Sequence, residues 1–150
     1  PVLELNDPAW RIYTRNPVMP PHYVGHNAEI ANALVTEGSV VRGKVAHSVL
    51  FCGTVVDEGS EVTDSIIFPR TKIGKNCKIS KAIIGENVII GDGTVIGGPP
   101  REGEVLDTEL TGDLTIVGND LTIPAETYLP QGMSLDHDIY YPNQEGGLPL

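Results

Sequence analysis

The sequence predicts an all-β protein built as a parallel β-helix, and three observations carry the prediction. Between Val45 and Gly97 the chain recurs with a period of 17 residues, which points to a solenoid of stacked units. Large aliphatic residues open its segments in three rounds, Val45, Leu50 and Val56, then Val62, Ile67 and Ile73, then Ile79, Ile84 and Ile90, with Ile96 closing the run and spacings of 5, 6 and 6. Small residues (Thr54, Ser60, Thr71, Cys77, Val88 and Thr94) lie four places after an aliphatic, with Ser48, Ser65 and Ala82 at the equivalent place of the five-residue sides. Short strands on three sides of a coil turn those aliphatics inward, and a tight corner over a filled core leaves room only for small side chains. About five such coils are expected, over residues 24–134.

Residues 1–23 hold Pro1, Pro8, Pro17, Pro20 and Pro21 and show no sustained period, so they read as an extended connector. The opening at Pro1, without methionine, reads as a piece of a longer protein, the connector leading from a further N-terminal domain. Trp10, Ile12 and Tyr13 are expected to pack on the first coil or on that domain. The first coil starts near Val24, and the one after it is expected to be two residues short, the match of Ala33 to Ser48, Ser65 and Ala82 setting the register. Glycines at 25, 38, 59, 74, 85, 91 and 93 are expected at the turns, often with positive φ. With only two Phe and one Trp in the chain, the core is predicted to be a column of Val, Ile and Leu. Residues 98–113 carry no hexad and read as one loop ejected from a corner, since the pattern returns at Val117, Ile123 and Leu129. The tail 135–150 is acidic, rich in Gly and Pro, and unperiodic.

A net charge of −10 argues against nucleic acid or an anionic membrane as partner, and no apolar run is long enough for a membrane span. Cys52 and Cys77 read as free thiols, Cys77 inward and Cys52 on an outer turn, which fits a cytoplasmic setting. Half of the ten basic residues fall between Arg70 and Lys81. Subtracting one period sets Lys75 over Glu58, Lys78 over Glu61 and Lys81 over Asp64, so these lysines read as rungs of charge ladders between strands about 4.8 Å apart. Arg70 and Lys72 find no acid one period away and read as the uncompensated cations, the better sites for a phosphate group. Arg11, Arg15, Lys44 and Arg101 likewise show no evident partner. His47 shares a column with Asn32, Asp64 and Lys81, while His22, His26 and His137 form no metal-ligand pattern. Neither a catalytic constellation nor a metal site is readable.

The segments WRIYTRNPVMPPHYVG, NALVTEG, HSVLF, DSIIFP, IGKNCKISKAII and LTIVGNDLTIPAE resemble the C-terminal domain of ADP-glucose pyrophosphorylase (glucose-1-phosphate adenylyltransferase), from about Asp7 to Gly132. The resemblance implies a left-handed β-helix, an exception to the usual right-handed crossover. It further implies an N-terminal catalytic domain, using Mg, that joins ATP and glucose 1-phosphate to give ADP-glucose and pyrophosphate for glycogen biosynthesis. The β-helix would then serve tetramer assembly, homo- or hetero-oligomeric, and allosteric control by phosphorylated metabolites, without catalysis of its own. Arg11, Arg15, Arg70 and Lys72 are the effector-binding residues this reading selects. Plant members use a lysine just before the IP hexad, where Asn119 stands here. Two alternatives are a hexapeptide acyltransferase, with His47 as the nearest general base, and the tail of another sugar-nucleotide transferase such as mannose-1-phosphate guanylyltransferase.

Overall fold

Strands in this chain are only two to four residues long, because each must turn a corner before the next aliphatic points inward. The computed structural model describes residues 7–11, 13, 15, 17–102 and 112–136. The first coil comprises β1 (Tyr23–Val24), β2 (Glu29–Ala31) and β3 (Leu34–Val35). The second comprises β4 (Val40–Val41), β5 (Lys44–Ala46) and β6 (Val49–Leu50). A third follows with β7 (Val55–Val56), β8 (Glu61–Thr63) and β9 (Ile66–Ile67), and a fourth with β10 (Lys72–Ile73), β11 (Lys78–Ser80) and β12 (Ala82–Ile84). The last two hold β13 (Ile89–Ile90), β14 (Val95–Gly98) and β15 (Thr115–Val117), then β16 (Thr122–Ile123), β17 (Tyr128–Pro130) and β18 (Ser134–Leu135). Each coil gives one strand to each of three parallel six-stranded sheets. The expected parallel β-helix is therefore observed, with six coils rather than five. The extra coil comes from the N-terminal end, where the pattern is weakest, and the last strand reaches Leu135, one residue into the predicted tail.

Register follows the sequence period. Lys72 pairs with Val55 and Ile89, and Ile79 with Val62 and Ile96. The two-residue shortening lies at the Arg42–Gly43 corner, so Val45 pairs with Ile30, 15 residues away, and with Val62, 17 away. Ala82 pairs with Thr115, and the ejected loop leaves the corner between the second and third faces. Most of that loop and the tail from residue 137, with His137, lie outside the described residues.

Inward aliphatics from Val41 to Leu135 form one buried column without aromatics; each contributes roughly 1.5–3 kcal/mol on burial. Phe51 and Phe68 instead stack outside, with ring centroids 5.2 Å apart. The two ends differ. In the first coil Val24 and Ile30 remain 42% and 38% exposed, whereas Ile123, Leu129 and Leu135 of the last are at most 4% exposed.

The small corner residues do more than fit. Ser60 Oγ donates to Gly74 C=O at 2.5 Å and accepts the Cys77 N–H at 2.9 Å. Thr71 Oγ1 donates to Gly85 C=O at 2.7 Å and accepts the Val88 N–H at 3.2 Å. Ser48 and Ser65 accept the amides of Ser65 and Ala82. Hydroxyls thus satisfy corner amides and carbonyls that the strands leave unpaired.

Positive φ at the corners falls partly on other residues than the predicted glycines. Gly38, Gly59 and Gly93 have it, but so do Asn32, His47, Asp64, Arg70, Asn76, Lys81, Asn87, Asp120 and Glu126. Gly91, by contrast, is required by space, since a Cβ there would meet the backbone of Ala125 in the next coil.

Candidate functional site

The corner between the third face and the first carries Gly38, Gly53, Arg70, Asn87 and Asp120 in successive coils, all with φ between 58° and 72°. Pro69 and Arg70 are the central residues of their turn. Proline suits the first central position, and a positive φ at the second normally selects Gly or Asn. Arginine there holds a conformation that costs roughly 1–2 kcal/mol, although His47, Lys81 and Glu126 share it.

Arg70 is not uncompensated. Its Nη2 lies 3.0 Å from Glu86 Oε1, both side chains about half exposed. Glu86 stands 16 residues on, one place off the column, so counting whole periods misses it. Lys72, on β10, points outward from the first face and has no ion pair within 4.0 Å among the described residues. Arg11 and Arg15 are exposed on the connector and likewise take no such pair among those residues. Their neighbours Trp10 and Tyr13 are 79% and 85% exposed and do not pack on the first coil; Ile12 lies outside the described residues. Arg70 at the corner and Lys72 on the adjoining strand thus lie two residues apart, and among the described residues no ion pair joins Arg11 or Arg15 to this corner.

The other charges also rearrange. Lys44, expected to lack a partner, lies 3.4 Å from Glu29 and is in register with Glu61 on its other side. Lys78 is in register with Glu61 as predicted, but none of the three expected ladder pairs closes within 4.0 Å among the described residues. Lys81 reaches Asp113, 3.9 Å away across the base of the ejected loop, and Asp64 faces His47 at 3.8 Å. Arg101 lies over the Tyr128 ring, 3.8 Å from its centroid, and Tyr128 donates its hydroxyl to Pro99 C=O at 2.5 Å. A cation–π contact and a hydrogen bond therefore pin the start of the loop.

His47 lines an open hollow of about 480 Å³ with Ile30, Asn32, Ala33, Leu34, Ser48 and Val49. Both cysteines are free, Cys52 half-buried and Cys77 buried. Burial pushes the Cys77 thiol above its usual 9.0.

Three parallel faces, hexad spacing and inward aliphatics at each strand define a left-handed β-helix of the hexapeptide class. The family model for the GlmU-like C-terminal hexapeptide matches residues 20–117, and the chain belongs to that family. A protein named glucose-1-phosphate adenylyltransferase from Bacillus thuringiensis (strain Al Hakam) is 51% identical over 94 residues, covering 63% of this chain and 25% of that protein. Its namesake from Bacillus cytotoxicus is 45% identical over 105 residues, covering 70% and 28%. This chain therefore corresponds to the C-terminal part of much longer relatives. Among solved structures, the acetyltransferase domain of PglB from Neisseria gonorrhoeae FA1090, in complex with acetyl coenzyme A, superposes with a TM-score of 0.59 at 24% identity, covering 88% of this chain and 58% of that one. That likeness is one of fold.

Proposed function

We propose that this chain is the regulatory and oligomerisation part of a glucose-1-phosphate adenylyltransferase. The 51% identity to the Bacillus thuringiensis protein of that name carries the reading, and it favours this activity over acyl transfer, toward which the 24% identical acetyltransferase domain offers likeness of fold alone. In this reading a preceding catalytic domain, using Mg, forms ADP-glucose and pyrophosphate from ATP and glucose 1-phosphate in the cytoplasm for glycogen biosynthesis. The β-helix contributes to a tetramer and receives a phosphorylated effector. Arg70 and Lys72 supply the cations, with Arg11 and Arg15 on the connector as the second group. Arg70 is the strongest of the four, because a guanidinium can grip a phosphate with two parallel hydrogen bonds.

The geometry adds a condition to the sequence argument. Since Glu86 holds Arg70 at 3.0 Å, an arriving phosphate must displace a carboxylate, and the ion pair acts as a competitor for the effector. The test is ADP-glucose synthesis by the full-length protein with and without fructose 1,6-bisphosphate or AMP. Arg70→Ala/Lys72→Ala should bring the ratio of the two activities toward one, and Glu86→Gln should lower the effector concentration needed for half response. Unchanged responses in both variants would move the search to Arg11 and Arg15. No synthesis by the wild type under any condition would refute the assignment.

A further inference from the structure

We propose that Met19 is a latch that fastens the connector to the β-helix in a notch formed by Gly38 and Gly53, and that this latch shares a wall with Arg70. The corner column supplies the notch. Its first two members are glycines, whereas the next three coils place Arg70, Asn87 and Asp120 there. A Cβ at Gly38 would lie 2.8 Å from Met19 Sδ and 3.1 Å from Met19 Cβ, and one at Gly53 would lie 3.2 Å from Met19 Cε. Met19 therefore occupies the space that side chains fill in later coils. An unbranched thioether with three rotatable bonds suits such an irregular gap.

Backbone bonds hold the connector on the C-terminal side of Met19. Pro20 C=O accepts the Gly38 N–H at 2.7 Å, and the Tyr23 N–H donates to Ser39 C=O at 2.8 Å. Pro20 and Pro21 limit the alternatives open to the segment between these bonds. Upstream, Val18, Tyr13 and Trp10 are all exposed, whereas Met19 is seated in the notch.

Arg70 borders the same notch. Its Cγ lies 3.7 Å from the same Gly53 Cβ position that Met19 Cε approaches to 3.2 Å. Turning the Arg70 side chain toward a new partner therefore alters the room left for the methionine. Met19 becomes a positioning residue, setting where the connector departs and linking the Arg70 corner to the segment that carries Arg11 and Arg15. Only the use of that link by an effector rests on the function proposed above.

The experiment follows amide hydrogen exchange at Gly38 by NMR in the 150-residue chain, because that amide is bonded to the latched connector. Arg42 and Lys72, whose amides donate to Val56 and Val88 C=O inside the solenoid, report the fold itself. Met19→Ala should speed Gly38 exchange by about tenfold or more while Arg42 and Lys72 stay as in the wild type. Met19→Leu should remain within about threefold of the wild type, since a similar volume refills the notch. Arg70→Ala should speed Gly38 exchange by about threefold or more. Unchanged Gly38 exchange in Met19→Ala, or a rise shared equally by Arg42 and Lys72, overturns the latch. An unchanged Gly38 in Arg70→Ala overturns the shared wall. Failure of the full-length protein to make ADP-glucose would sink the functional reading and leave these exchange results to judge the latch by themselves.

Discussion

Thr71→Val keeps the shape of a fully buried side chain and deletes one hydroxyl. In the wild type, Oγ1 gives a hydrogen bond to Gly85 C=O at 2.7 Å and takes one from the Val88 N–H at 3.2 Å. Valine strands both backbone groups at a site with no access to water. Leaving a buried donor or acceptor unsatisfied costs roughly 1–3 kcal/mol. The methyl that replaces the hydroxyl returns up to about 0.8 kcal/mol by burial. With two groups stranded, a net loss of about 1–5 kcal/mol follows, and at this chain length that lowers Tm by roughly 2–20 °C. Urea unfolding and thermal melting followed by circular dichroism measure both quantities. A variant as stable as the wild type would refute the argument, and would mean that the corner residues are selected for size alone.

Other perturbations test separate parts of the structure. Gly91→Ala should destabilise by several kcal/mol, because its methyl meets the Ala125 backbone of the adjacent coil; a normal melting curve would show that the coils can part there at little cost. One thiol, Cys52, should react quickly with a disulfide reagent and the other, Cys77, only on unfolding; two fast thiols would contradict the inward placement. Because burial raises the Cys77 value above 9.0, its thiol is more readily ionised in the unfolded chain. Its contribution to stability should hold below pH 9 and fall as pH rises above it; a Cys77→Ala variant with the same alkaline loss of urea midpoint would count against this. Lys44→Glu, placed between Glu29 and Glu61, should cost about 1 kcal/mol and lose part of that penalty in high salt. A salt-independent effect would point to packing instead.

Periodicity made the solenoid legible because the aliphatic at each strand has one place to go. The same counting set Lys72 against Val55 and Ile89 and located the ejected loop. It failed where contacts run obliquely. Glu86 meets Arg70 one place off the column, and Asp113 meets Lys81 across the base of an insertion that period arithmetic skips. The first coil is harder to count because the Val41–Val45 step is four residues rather than six, so the 17-residue period breaks just after it although Val24, Ile30 and Val35 keep the 6 and 5 spacing. Met19 was invisible for another reason. Nothing in a proline-rich stretch says which residue is anchored, and the notch that anchors it consists of missing side chains. The corner hydroxyls were read only as small; their hydrogen-bonding role depends on carbonyls 14 residues away.

The inequality of the two ends gives the stack a direction in which it comes apart. Val24 and Ile30 already meet solvent, while the last coil's Ile123, Leu129 and Leu135 do not. In a solenoid each coil is held only by its neighbours, so opening starts where one neighbour is missing and the core is already wet. Unravelling should proceed from Tyr23 toward the ejected loop, coil by coil, rather than from Leu135 backward. The connector leaves from that weaker end, so a pull on it would load first the coils that open first.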